Sequence, residues 1–67
     1  MSVAKIVEIT SESKESFEQA MKEGIARAGK TLKNMKSAWI SEQQLSIEEG
    51  QIVGYRVTLK VVFVLAD

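Results

Sequence analysis

Sixty-seven residues make one small domain, and nine Lys plus Arg against nine Asp plus Glu leave a formal net charge of zero. With no cationic surplus to neutralise phosphates, the chain is not expected to bind nucleic acid. There is no Cys and no His, which excludes thiolate chemistry, disulfides, haem ligation through His and every histidine-based triad. Any metal would be a hard cation such as calcium or magnesium held by oxygen, not zinc or copper. No stretch approaches the ~20 apolar residues of a membrane span. The first residues also lack the basic and apolar regions of a signal peptide, so the expectation is a soluble, cytoplasmic protein with no membrane partner.

Val3 to Thr10 is rich in β-branched residues and reads as a strand, bounded by the polar cluster Ser11, Glu12, Ser13 and Lys14. Ser16 followed by Gln19 fits a capping box, in which the Ser accepts from a free N–H and the Gln reaches back. From there Phe17, Ala20, Met21, Ile25, Ala28, Leu32 and Met35 recur at spacings of three and four, which predicts one apolar face of a helix. Glu18 with Lys22 and Glu23 with Arg27 fall four residues apart on its solvent side. Lys30, Lys33 and Lys36 read as a helix end favoured by the dipole in preference to an anion patch.

Ser37 to Ile47 predicts a second strand, and Glu48, Glu49 and Gly50 a turn with glycine at positive φ. Gln51 to Ala66 predicts a long third strand. Its odd positions, Val53, Tyr55, Val57, Leu59, Val61, Phe63 and Leu65, form one apolar face. On the other face Arg56, Thr58 and Lys60 are polar but Val62, Val64 and Ala66 are not. A 16-residue strand reaches about 53 Å and an 18-residue helix about 27 Å, so one helix cannot cover it. A chain below about 70 to 80 residues also has little core to offset ordering entropy. Both arguments predict self-assembly, with the apolar end of the third strand buried by another copy.

Catalytic signals are weak. Glu48 and Glu49 lie in a turn, Glu12 and Glu15 lie before or at the helix start, and Glu18 and Glu23 are helix-surface partners. No two carboxylates are paired for general acid and base work. Neither Ala28-Gly29-Lys30-Thr31 nor Glu49-Gly50-Gln51 matches a phosphate-cradling loop. The chain is not expected to be an enzyme.

The element order, the segment Ile25-Ala26-Arg27-Ala28-Gly29-Lys30-Thr31-Leu32, the turn Ile47-Glu48-Glu49-Gly50 and the ending Tyr55-Arg56-Val57-Thr58-Leu59-Lys60-Val61-Val62-Phe63 resemble the dodecins, without a gap from about Lys5 to Leu65. The resemblance implies a single dodecin-like domain over residues 1–67 with an α+β, β-α-β-β fold, in which a three-stranded antiparallel sheet partly wraps one helix. It also implies a hollow homododecamer of 23 symmetry that binds and stores a small molecule. In flavin-binding dodecins riboflavin or FMN stacks on a tryptophan early in the second strand, and a glutamine after the third-strand Tyr hydrogen-bonds the ring edge. Those positions carry Ser37 and Arg56 here. An arginine donates but does not accept, so the resemblance implies an altered or lost flavin site. Trp39, two residues from Ser37 on the same strand face, is either a displaced stacking platform or an interface anchor.

Around Tyr55-Arg56 the chain is similar to the calcium dodecin branch, which has a non-aromatic residue at the Ser37 position. Arg56 suits an anionic group or a salt bridge between subunits. If the strands keep register, parity places Ser37, Trp39 and Arg56 on the sheet face away from the helix. Three function classes follow: a flavin-sequestering shell, a shell binding calcium or an anion, and a structural assembly without ligand.

Overall fold

The computed structural model describes residues 3–65. Strand β1 runs Ala4–Ser13, helix α1 Phe17–Ala28, β2 Met35–Glu48 and β3 Gln51–Val64. They form one antiparallel sheet in the order β1-β3-β2, so the strand with the most apolar sequence is central. The β-α-β-β expectation holds. Ala66, expected at the end of β3, lies outside the described residues.

Strand β1 continues through the polar cluster expected to end it, because Ser11, Glu12 and Ser13 pair with Val57, Arg56 and Tyr55 of β3. Ladder hydrogen bonds there outweigh local turn preference. Ser13 is buried and its hydroxyl accepts from the Glu15 N–H at 3.0 Å, turning the chain toward the helix. Ser16 then caps α1 by accepting from the Gln19 N–H at 2.9 Å. The reciprocal half of the capping box does not form. Gln19 instead donates to Glu23 Oε2 at 2.8 Å, and the Glu23–Arg27 pair expected from spacing gives way to that bond. Glu18 and Lys22 do pair, at 3.1 Å.

The helix is shorter than its periodicity predicts. After Ala28 the bonds tighten, with Lys30 N–H donating to Arg27 O and Thr31 N–H to Ala28 O. This is the i→i+3 pattern of a fraying last turn. Asn34, at φ 62°, then redirects the chain into β2. Met35 therefore belongs to β2, although its side chain still packs against the core, so spacing alone mimics a continued helix. Lys36 also lies on β2, not at a helix end. The β2–β3 turn holds both Glu49 (φ 51°) and Gly50 (φ 76°) in the left-handed region. That is the two-residue hairpin geometry whose twist matches the flanking strands.

The core is small: Ala20 from the helix meets Val57, Leu59 and Val61 of β3, with Ile9, Phe17, Met21, Ile25 and Met35 around them. Phe17 packs its ring edge-on to Tyr55 at 5.3 Å. Helix α1 lies over β1 and β3, while all but Met35 and Ser46 of β2 are exposed. The hairpin of β2 and β3 runs on past Ser13, the end of β1, giving a shape 51 Å long and 13 Å thin. The radius of gyration is 13.9 Å, against about 11 Å for a compact chain of this length. Accessible surface is 5015 Å², against about 4,200 Å² for a compact monomer of this mass.

Candidate functional site: the sheet face opposite the helix

Since Val57, Leu59 and Val61 face the helix, the even positions of β3 and their cross-strand partners form the opposite, outer face. It consists of rows across three strands. Ile6, Val62 and Ser37 make one; Glu8, Lys60 and Trp39 the next; then Thr10, Thr58 and Glu42; then Glu12, Arg56 and Gln44. An irregularity between Ile40 and Glu42 sets the last two rows. Ser41 is passed over by the pairing and its hydroxyl donates to the Thr58 carbonyl at 3.2 Å, so Gln44, not Gln43, faces Arg56.

Ser37, Trp39 and Arg56 thus share one face, but the fold does not bring them together. The Trp39 row is four β3 residues from the Arg56 row, about 13 Å, and the Ser37 row is six away, about 20 Å. A small ligand touching Arg56 and the Ser37 end must therefore draw on more than one chain. Trp39 is 47 % exposed. Its ring offers a flat apolar surface beside Lys60.

Arg56 has a partner within its own chain: its Nε donates to Glu12 Oε1 at 3.1 Å, with the two side chains 49 % and 42 % exposed. At that exposure the pair's stabilising effect is small, about 1 kcal/mol at most. The Ser46 hydroxyl donates weakly to the same oxygen at 3.5 Å. Gly54 lies beneath the carboxylate, where a Cβ would come within 3.0 Å of Glu12 Oε2. Residues of β2 and β3 therefore flank the Glu12 carboxylate of β1.

On the helix side, a groove of 540 Å³ opens between α1 and the sheet edge β1, floored by Val7, Ile9, Gly24 and Ala28, with Arg27 at its rim.

The dodecin family model matches residues 3–66. A calcium dodecin of Mycobacterium tuberculosis is 33% identical over 63 residues, covering 94% of this chain and 89% of that protein. The chain belongs to the dodecin family. Its fold superposes on a Thermus thermophilus dodecin with a TM-score of 0.93 at 34% identity, covering 100% of both chains. For a Streptomyces davaonensis dodecin the TM-score is 0.92 at 33% identity, covering 98% and 97%. The solved calcium dodecin of M. tuberculosis, described as calcium-chelating, gives 0.83 at 30%, covering 96% and 91%.

In this dodecin the outer sheet face carries the accessible ring of Trp39. Ser37, on the same face, provides no ring. In sequence Glu12 reads as part of the polar cluster before the helix, and nothing local marks Ser46 or Gly54 as its neighbours. The alternation Ile6, Glu8, Thr10, Glu12 carries the signal that would have kept it on the strand.

Proposed function

We propose that this dodecin assembles into a hollow homododecamer that binds and sequesters a small planar ligand in the cytoplasm, without catalysing a reaction. The observation that carries the reading is the surface left bare in a single chain. Nearly all of β2 is exposed, and the chain has about 800 Å² more accessible area than a compact monomer, roughly one partner's share of a standard interface. Family membership supports the shell and the small ligand. A flavin, riboflavin or FMN, binds with its ring on Trp39 and its edge toward Arg56 of another chain. Affinity is reduced because Ser37 supplies no stacking face. Light scattering, together with visible absorbance of protein purified without added cofactor, tests this. A monomer or dimer mass at micromolar concentration refutes the assembly, and no flavin uptake on titration refutes the ligand.

Calcium is a second reading, favoured by the M. tuberculosis calcium dodecin. Among the described residues no three acidic groups converge as a metal site within one chain. Calcium would therefore be held by carboxylates of neighbouring chains. Calorimetry with calcium on the assembled protein tests it, and absence of heat refutes it.

A further inference from the structure

We infer that chains of the shell join head to tail, the tip of the β2–β3 hairpin of one copy seating in the groove between α1 and β1 of the next. The inference rests on the proposal that the chain self-assembles, and it names the surfaces that meet. Beyond the row of Ser13 and Tyr55 the hairpin has no β1 beside it. There Leu45, Ile47, Ile52 and Val53 are all exposed, four large apolar side chains at one end of the molecule. Leu45 pairs with Tyr55, whose ring meets Phe17 at the start of the helix. Alternation therefore turns Ile47 to the helix side of the sheet, with Ile52 opposite it. The helix runs away from them, so among the described residues nothing covers that end.

Charge is divided along the same axis. From Gly24 to Ser41 the chain carries Arg27, Lys30, Lys33 and Lys36 and no acid, whereas from Glu42 to Tyr55 it carries Glu42, Glu48 and Glu49 and no base. The groove has an apolar floor of Val7, Ile9, Gly24 and Ala28 and a volume of 540 Å³, with Arg27 on its rim. Lys30 follows in the next turn. The one acid on the groove, Glu23, already accepts from Gln19. Arg27 lies ten helix residues beyond Phe17, and the tip lies four strand residues beyond Tyr55 on the other side, so rim and tip are about 28 Å apart. Glu48 and Glu49 cannot reach Arg27 of their own chain. They can meet it in another, with Ile47 and Ile52 against the apolar floor. A contact between two different patches is heterologous and closes only as a ring. In a shell of 23 symmetry, whose axes are two-fold and three-fold, it belongs to the three-fold.

Light scattering and circular dichroism on charge-swapped variants test this. Arg27, Lys30, Glu48 and Glu49 are all exposed, so each variant is expected to fold. Arg27→Glu with Lys30→Glu, and separately Glu48→Arg with Glu49→Arg, are each expected to lose the wild-type mass and give dimers or smaller species in low salt. All four substitutions together restore the attraction and are expected to return the wild-type mass. Wild-type mass in either pair, or no recovery in a fourfold variant with wild-type dichroism, overturns the inference and leaves self-assembly standing. Dissociation by the hairpin pair alone overturns it too, since the tips would then pack on one another. A monomeric wild type overturns both. Carbodiimide cross-linking of wild type, which joins a carboxylate to an amine in contact, needs no variant to fold. Covalent trimers bridged from Glu48 or Glu49 to Lys30 are expected, and bridges from the tip to other lysines in place of Lys30 overturn the inference.

Discussion

Gly24→Ala sets two effects of known size against each other. Alanine in place of glycine inside a helix gains about 1 kcal/mol of propensity. Gly24, however, faces Ser11 of β1 with little room between them. A Cβ there would stand 3.0 Å from Ser11 Cβ and 3.4 Å from its hydroxyl oxygen, against about 3.5 to 4.0 Å for a relaxed carbon contact. Ser11 is locked in register opposite Val57, so it cannot swing aside as a long side chain would. The helix must retreat, loosening Ala20 from the core it shares with Val57 and Leu59.

Overpacking of this kind costs about 1 to 3 kcal/mol and outweighs the propensity gain. The expected net loss is about 1 kcal/mol, which lowers the melting temperature by about 4 to 8 °C for a domain of this size. Thermal unfolding followed by circular dichroism, at one fixed protein concentration because assembly contributes to stability, measures it. Ser11→Gly removes the opposing Cβ. The pair Ser11→Gly with Gly24→Ala should therefore be more stable than the sum of the single losses, by about 1 kcal/mol. A raised melting temperature for Gly24→Ala, or strict additivity in the double variant, would refute the close-approach argument.

Val62→Lys places a charge between Ile6 and Ser37 on the apolar end of the outer face. Val64→Lys does the same one row further along, beside Ala4. Both are expected to reduce the assembly to smaller species by light scattering, because an ammonium would be buried without a partner, and unchanged mass would show that end of the sheet to be free. Ser16→Ala removes the bond from the Gln19 N–H and should cost about 1 kcal/mol in the same melting assay. Trp39→Ala should lower residual flavin affinity about tenfold in fluorescence titrations, and Ser37→Trp should raise it; no change in either variant would remove Trp39 and Ser37 from the ligand site.

The element order, the cap at Ser16, a turn at Glu49 and Gly50 and the inward face of β3 were legible in the sequence, whereas Glu48, read as part of that turn, closes β2 opposite Gln51. The legible features rest on local chemistry or on a strict period of two or about 3.6. The same locality explains the errors. Leu32 and Met35 fall at helical spacing, but where α1 stops is decided by Asn34 and by the pairing of Met35 with Phe63 across the sheet. The Ser11–Ser13 cluster carries turn residues, yet it extends β1 because a long central strand offers it ladder partners.

The candidate site was legible only as single positions. Parity alone put Ser37, Trp39 and Arg56 on one face, since two-residue alternation survives whatever the partner strand does. Their separation, and the identity of Arg56's neighbours, depend on register between residues 44 positions apart for Glu12 and on the irregularity at Ser41. Those are set by the summed ladder and packing energies of three strands, so only the tertiary structure decided that Arg56 meets Glu12 in its own chain.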